Sequence, residues 1–281
     1  MKFKKTFKIV TSILICIILF LYYQNNNIEI TKMNIESEEI PSSFEGFKIL
    51  QVSDLHNKKY RNNHKDLVDK TKDLQPDIIV ITGDLIDSRR TDVNVATNYI
   101  KQIKDIAPIY YVSGNHESRV DEYTMLKEQL IENGVTILDN KSEEITINNE
   151  SITISGVDDI DFYENQNSNY EEEIKNDIKD LLSNSKTEFN ILLSHRPELV
   201  DLYKGFDLVY SGHAHGGQFR LPFIGAVFAP DQGFNPEYTE GLYELEDSKM
   251  IVSRGLGNSI FPFRLFNQPE LVLTRLNHID N

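Results

Sequence analysis

Five short clusters of residues in this chain have the chemistry of a metal site. In chain order they are Asp54-x-His56, Gly83-Asp84, Gly114-Asn115-His116, His195 and Gly212-His213-Ala214-His215. They hold five of the chain's seven histidines, leaving only His64 and His278. A lone histidine is more often packed or hydrogen-bonded than ligating; an ordered set of five, interleaved with carboxylates, is a different matter. Imidazole with carboxylate and no thiolate suits Mn²⁺, Fe or Zn²⁺. The one cysteine, Cys16, excludes both a cysteine-based zinc site and an intramolecular disulfide. So many donors exceed the needs of one ion. Two ions sharing a carboxylate, about 3.5–4 Å apart, would use them.

Each cluster follows a run that reads as a buried strand. FKILQV (47–52), DIIVIT (77–82), IYYV (109–112), FNILL (189–193) and DLVYS (207–211) are apolar runs ending in polar residues. Helical stretches are expected near 64–74, 92–106, 120–133 and 171–184, with Pro197 at a helix N1 position. Residues 28–35 alternate like an edge strand, and 241–246, 249–253 and 270–275 are further strand-like runs. Residues 161–173 are acidic and polar and predict a surface loop entering a helix. Buried strands separated by helices indicate an α/β domain whose ligands bind beyond the carboxyl ends of the strands. All five clusters should therefore meet in one crevice. No linker or internal repeat divides residues 27–281.

The ordered set D-x-H, GD, GNH, H and GH-x-H resembles the signature of the calcineurin-like metallophosphoesterases. The similarity continues through GHAHGGQFRLPFIGAVFAP and VSRGLGNSIFPFRLFNQPELVL. Those stretches resemble a membrane-associated bacterial branch that includes phosphodiesterases acting on UDP-2,3-diacylglucosamine. The resemblance implies a four-layer α/β/β/α sandwich. It also implies that Asp54, His56 and His215 hold one metal, that Asn115, His195 and His213 hold the other, and that Asp84 bridges them. His116 would protonate the leaving group as general acid, oriented by Asp87, after attack by a hydroxide shared between the metals. There are departures. The superfamily's protein phosphatases carry an arginine before GNHE and the run GD-x-x-DRG, whereas this chain has Ser113 and GDLIDSR. Arg254 and Arg220 read equally as substrate contacts or as salt-bridged residues. Arg89 and Arg90 read as an exposed loop pair within reach of anionic head groups, and Asp158-Asp159 as a turn.

The first 26 residues stand apart. Lys2, Lys4, Lys5 and Lys8 precede the apolar run 9–23, and no small-x-small cleavage site follows. The expected form is an uncleaved signal anchor, with its lysines cytoplasmic and the rest of the chain outside; a cleaved signal peptide is the alternative. The net charge is −15 although four lysines lie in the first eight residues. So acidic a body repels a phosphate backbone, which excludes nucleic acid as a natural partner. The expectation is thus a membrane-anchored, two-metal phosphoesterase, most naturally a phosphodiesterase, acting on a lipid, glycolipid or cell-envelope substrate. The alternatives are a phosphomonoesterase or protein phosphatase of the same superfamily, or a catalytically silent metal-binding envelope protein.

Overall fold

The computed structural model describes residues 2–164, 169–259 and 261–280. The chain opens with helix α1 (Lys2–Asn26). Strands β1 (Glu29–Ser37), β2 (Lys48–Val52), β3 (Ile78–Thr82), β4 (Ile109–Val112) and β5 (Val135–Ile137) follow. Helices α2 (Arg61–Leu74), α3 (Val93–Ile103) and α4 (Tyr123–Glu132) connect the last four strands. The second half runs β6 (Lys141–Ile147), β7 (Glu150–Gly156), α5 (Ile160–Glu164), α6 (Tyr170–Asn184), β8 (Asn190–Leu193) and β9 (Leu208–Ser211). Two small ribbons come next, β10 (Arg220–Leu221) with β11 (Gly225–Ala226), then β12 (Phe228–Ala229) with β13 (Gly233–Phe234). Strands β14 (Gly241–Glu244), β15 (Lys249–Val252) and β16 (Glu270–His278) complete the fold.

The strands form two six-stranded sheets, ordered β1-β16-β2-β3-β4-β5 and β14-β15-β9-β8-β7-β6. Strands β2, β3 and β4 pair in parallel, as do β7, β8 and β9. Parallel neighbours need a crossover, and the helices supply it. The period-2 alternation of side chains then divides each strand between two cores. Ile78 and Val80 of β3 lie between the sheets with Ile191 and Leu193 of β8. Ile79 and Ile81 face the other way, against Leu67 of α2 and Ala96, Tyr99 and Ile100 of α3. On the far side, Leu192 and Val209 pack with Ile174, Ile178 and Leu181 of α6. Three stacked cores define four layers, α/β/β/α, as expected.

Most expected elements are present with shifted ends. Residues 28–35 predict an edge strand, and β1 does lie at a sheet edge, parallel to β16. The expected loop at 161–173 is corrected at both ends. Residues 161–164 belong to α5, because Ile160 and Tyr163 bury against α6, and Tyr170 already opens α6; residues 165–168 lie outside the described residues. Pro197 starts a short 3₁₀ segment, Pro197–Leu202, rather than an α-helix, since Leu199 leaves helical geometry (φ −88°, ψ 15°).

Candidate metal centre

The five clusters occupy the carboxyl ends of β2, β3 and β4 in one sheet and of β8 and β9 in the other. The crevice therefore lies where the same ends of two facing sheets meet, rather than along one open sheet. Asp54, His56, Asp84, Asn115, His195, His213 and His215 are all buried. Five of the seven, Asp54, His56, Asp84, His213 and His215, have positive φ, between 46° and 65°. That region is costly for residues with a Cβ, by about 1–3 kcal/mol each, and such strain persists where the surroundings enforce it. Two glycines show how the surroundings do so. Gly83 has φ 85°, and a Cβ there would stand 2.7 Å from the Gly114 backbone and from His195 Nδ1; a Cβ on Gly114 would strike the Asp84 carboxylate. The glycine preceding each acid or amide thus lets the loops after β3 and β4 close on each other.

The side chains converge in two groups that share one residue. Asp54, His56, Asp84 and His215 present donor atoms all within 4.8 Å of one another, and so do Asp84, His195 and His213. Asp84 Oδ2 stands 3.3 Å from both His56 Nε2 and His195 Nε2. His215 Nε2 lies 3.0 Å from His56 Nε2 and 3.3 Å from Asp54 Oδ1. Asn115 Oδ1 is 3.1 Å from His195 Nε2 and from His213 Nδ1. Turned the other way, the Asn115 amide would donate to those two nitrogens and accept from Arg119; a cation held by these histidines would favour the oxygen-inward orientation. Imidazole nitrogens and carboxylate oxygens aimed at one another this closely, in a buried pocket, fit a pair of divalent cations.

Neighbouring groups aim the donors. Thr82 carbonyl lies 2.7 Å from His195 Nδ1, which leaves Nε2 for the centre. Asp231 lies 2.9 Å from His213 Nε2, leaving Nδ1. Ser53 Oγ donates to Asp54 Oδ2 at 2.6 Å. Such outer partners set tautomer and ring orientation at metal sites. Burial works against ionising Asp54 and Asp84, but the surrounding imidazoles outweigh it: His215 and His56 hold Asp54, and His195, His56 and His116 hold Asp84, well below the usual carboxylate range. Burial works against charging His56 and His195 as well, yet the Asp84 and Asp54 carboxylates push both imidazoles up, so ionised carboxylates and imidazoles face one another across the centre.

His116 lies beside this set without belonging to either group. Its ring meets His56 edge-on with centroids 4.5 Å apart, and its backbone N–H donates to Asp84 Oδ1 at 2.9 Å. Asp87, the expected orienting residue, stands near the ring but does not hydrogen-bond it. Asp87 Oδ1 is 3.9 Å from His116 Nδ1, an ion-pair distance rather than a hydrogen bond. The hydrogen bond comes from the Ser88 backbone N–H, 2.9 Å from Nδ1, because the Asp87 carboxylate turns to the Arg89 backbone and guanidinium. Nδ1 accepting a backbone N–H places the neutral ring's proton on Nε2. Burial pushes this imidazole down to about 4.

Several contributors were not legible beforehand. Glu117, fully buried, accepts backbone N–H bonds from Asp84 and Gly114 at 2.8 Å and from Ile86 at 3.3 Å, pinning the loops of β3 and β4 together; burial, then Asp84, pushes it up to about 8. Only its place in GNHE marked it. Arg196 gathers Asp159, Asp161 and Asp231 within 2.5–2.9 Å. Asp158 and Asp159 are thus no simple turn: Asp159 binds Arg196, and Asp158 accepts the Ser113 hydroxyl at 2.9 Å. Arg254 pairs with Glu29, Glu270 and Glu240, and Arg220 with Glu240, so both arginines are spoken for by carboxylates.

Residues 47–217 match the model of the calcineurin-like phosphoesterase family. The uncharacterized metallophosphoesterase YkuE of Bacillus subtilis is 32% identical over 91% of this chain and 87% of its own length. The phosphodiesterase YaeI of Escherichia coli is 25% identical over 82% of each. Among solved structures, the Thermus thermophilus sulfate thiohydrolase SoxB superposes with a TM-score of 0.50 at 11% identity, over 83% of this chain and 57% of that one, a likeness of fold. The chain belongs to the calcineurin-like phosphoesterase family. It is a metal-dependent phosphoric ester hydrolase.

Proposed function

We propose that this protein hydrolyses phosphodiesters of a lipid, glycolipid or cell-envelope component. Asp54, His56 and His215 would hold one cation, Asn115, His195 and His213 the other, with Asp84 between them. The observation that carries the dinuclear reading is the position of Asp84 Oδ2, 3.3 Å from a histidine of each group. Bound divalent cations supply the charge that neutralises phosphoryl oxygens and acidifies water enough to attack near neutral pH. The remaining work falls to the chain. The strained loops hold the donors where charge develops, so no reorganisation is needed during the reaction. His116, held by Ser88 and outside both groups, turns Nε2 toward the leaving oxygen as its proton donor. Giving up the Nε2 proton requires an imidazolium. An anionic phosphate beside the ring would raise its proton affinity. The added proton would sit on Nδ1, with its contact passing from the Ser88 N–H to the Ser88 hydroxyl 3.2 Å away. Transfer from Nε2 would then leave a neutral ring.

The membrane part of this proposal rests on α1. Phe3–Asn26 is long and apolar enough to cross a bilayer, and none of its apolar stretch is buried against the domain. The lysines at its start favour a single pass with residues 27–281 on the outer side. A diester rather than a monoester fits the family likeness to YaeI and the occupied state of Arg220 and Arg254, which leaves fewer clamps for a dianion. The test is turnover of bis(nitrophenyl) phosphate beside nitrophenyl phosphate by the full chain, chelated and then reloaded with Mn²⁺, Fe²⁺ or Zn²⁺. Metal-restored hydrolysis favouring the diester is expected. Equal or greater activity on the monoester would replace the diesterase reading, and no activity with any metal would sink the catalytic one.

A further inference from the structure

The segments flanking the candidate metal centre carry apolar residues that belong to no core. Phe223 is fully exposed, and Ile224 and Phe234 are 70% and 80% exposed. Phe261, Phe263 and Phe266 are roughly half-exposed. Large apolar patches on a folded domain mark interaction surfaces. These two stretches form one surface. Arg220 N–H donates to the Leu265 carbonyl at 3.0 Å, and the Phe219 ring packs on Phe261 and Phe263 with centroids 4.9 and 5.4 Å away.

That surface joins α1 on one side and the centre on the other. Phe20 of α1 packs on Phe266 at 5.5 Å, and Asn25 bonds the Arg264 backbone in both directions, at 2.7 and 3.2 Å. The donor residue His215 lines an apolar hollow with Phe219, Phe228 and Phe261, and Asn267 donates to the His215 carbonyl at 2.7 Å. Charge points the same way. In a chain of net charge −15, residues 219–234 and 257–267 contain one acid, Asp231, and its carboxylate is taken by Arg196 and His213. Exposed Arg89 and Arg90 stand at the rim, Arg89 bonded to the Ser259 carbonyl at 2.8 Å.

We propose that this surface docks onto the lipid bilayer that α1 enters, seating the aromatic tips at the headgroup–acyl boundary and opening the metal centre onto the membrane surface. The inference rests on the membrane reading of α1 above. Aromatic side chains favour that boundary, and arginines at the rim meet anionic headgroups. A tether at the edge of the patch makes docking effectively intramolecular. A protein partner would have to wedge between the domain and the bilayer.

The chain contains no tryptophan, which allows a direct test. Single Phe223→Trp, Phe234→Trp and Ile279→Trp variants of the full chain are reconstituted into phosphatidylcholine–phosphatidylglycerol vesicles, with plain or brominated acyl chains. Ile279 follows β16 at the end of the sheet away from the centre, bonded to Ser37. The first two should show blue-shifted emission and lose most of it to brominated lipid, while Ile279→Trp keeps both its emission and its wavelength. Water-like, unquenched emission from Phe223→Trp and Phe234→Trp on protein that floats with the vesicles overturns the proposal, as does protein that does not float. A dimer in detergent that Phe223→Asp dissociates would assign the patch to a second copy instead. None of these readouts involves turnover, so failure of the catalytic reading is scored separately on soluble diester.

Discussion

At the scale of the residue, the centre separates groups that would bind cations from groups that would move protons. Asp84→Asn replaces the shared carboxylate by a neutral amide, which bridges two cations poorly. At least one metal equivalent should be lost by elemental analysis, with activity near background; full metal content with normal turnover would end the bridging assignment. His116 makes the opposite prediction. General acid catalysis is typically worth about 10²–10⁴-fold, so His116→Ala should lose roughly that on alkyl esters and far less on nitrophenyl esters, with metal content kept. An equal loss on both esters, or loss of metal, would make His116 structural. The contact pattern adds a ranking: Asp87→Asn should cost much less than His116→Ala, because Nδ1 is held by the Ser88 backbone and Asp87 is engaged with Arg89.

At the scale of the element, α1 is more than an appendage. Its last turn is built into the domain through Asn25, whose side chain bonds the Arg264 backbone and whose carbonyl accepts from Lys58 Nζ at 2.5 Å. Arg264 in turn is fully buried, its guanidinium bonded to the Gly257 carbonyl and 3.4 Å from His215 Nδ1. A boundary drawn after residue 26 removes these bonds, whereas one drawn after residue 19 keeps them along with Phe20 on Phe266. Each hydrogen bond contributes about 0.5–1.5 kcal/mol. The shorter deletion should therefore give a soluble domain active on water-soluble diesters, and the longer one should melt several degrees lower. Identical melting temperatures for the two would show that Asn25 stabilises nothing.

At the scale of the whole molecule, pH reads out a half-buried acid pair, Asp139 and Asp158, behind the loop that follows β4. Burial, then the Asp139 charge, pushes Asp158 up to about 7. In the unfolded chain an aspartate ionises near 4. Between about pH 4 and 7 the folded state therefore binds the extra proton, and its stability falls as pH rises through that window. Asp158→Asn cannot ionise and removes that slope. Melting temperature against pH should accordingly fall less steeply between pH 4 and 7 in the variant, while keeping the amide-compatible bond from Ser113. Parallel curves for variant and wild type would show that Asp158 does not titrate there.

What the sequence determined by itself was the chemistry and its order along the chain. Strand runs such as DIIVIT and FNILL are readable because burial on both faces demands unbroken apolar residues, and the polar residue after each run has nowhere to go but the strand's end. Hence the residues that gather in the crevice, the seven candidate donors and His116, were legible, and so were α2, α3 and α6 as stretches between the strand runs. The linear pattern held no information about which two sheets would close on each other, because β16 crosses the whole chain length to lie between β1 and β2. Only that closure set Glu117 under two loops, brought the Ser88 backbone to His116 Nδ1, tied Arg254 and Arg220 to carboxylates, and gathered Phe223, Phe234 and Phe266 beside α1. These contacts depend on turns, positive φ values and side-chain directions across distant segments. Such features cost or contribute only a few kcal/mol apiece, and no residue type announces them before the layers are packed.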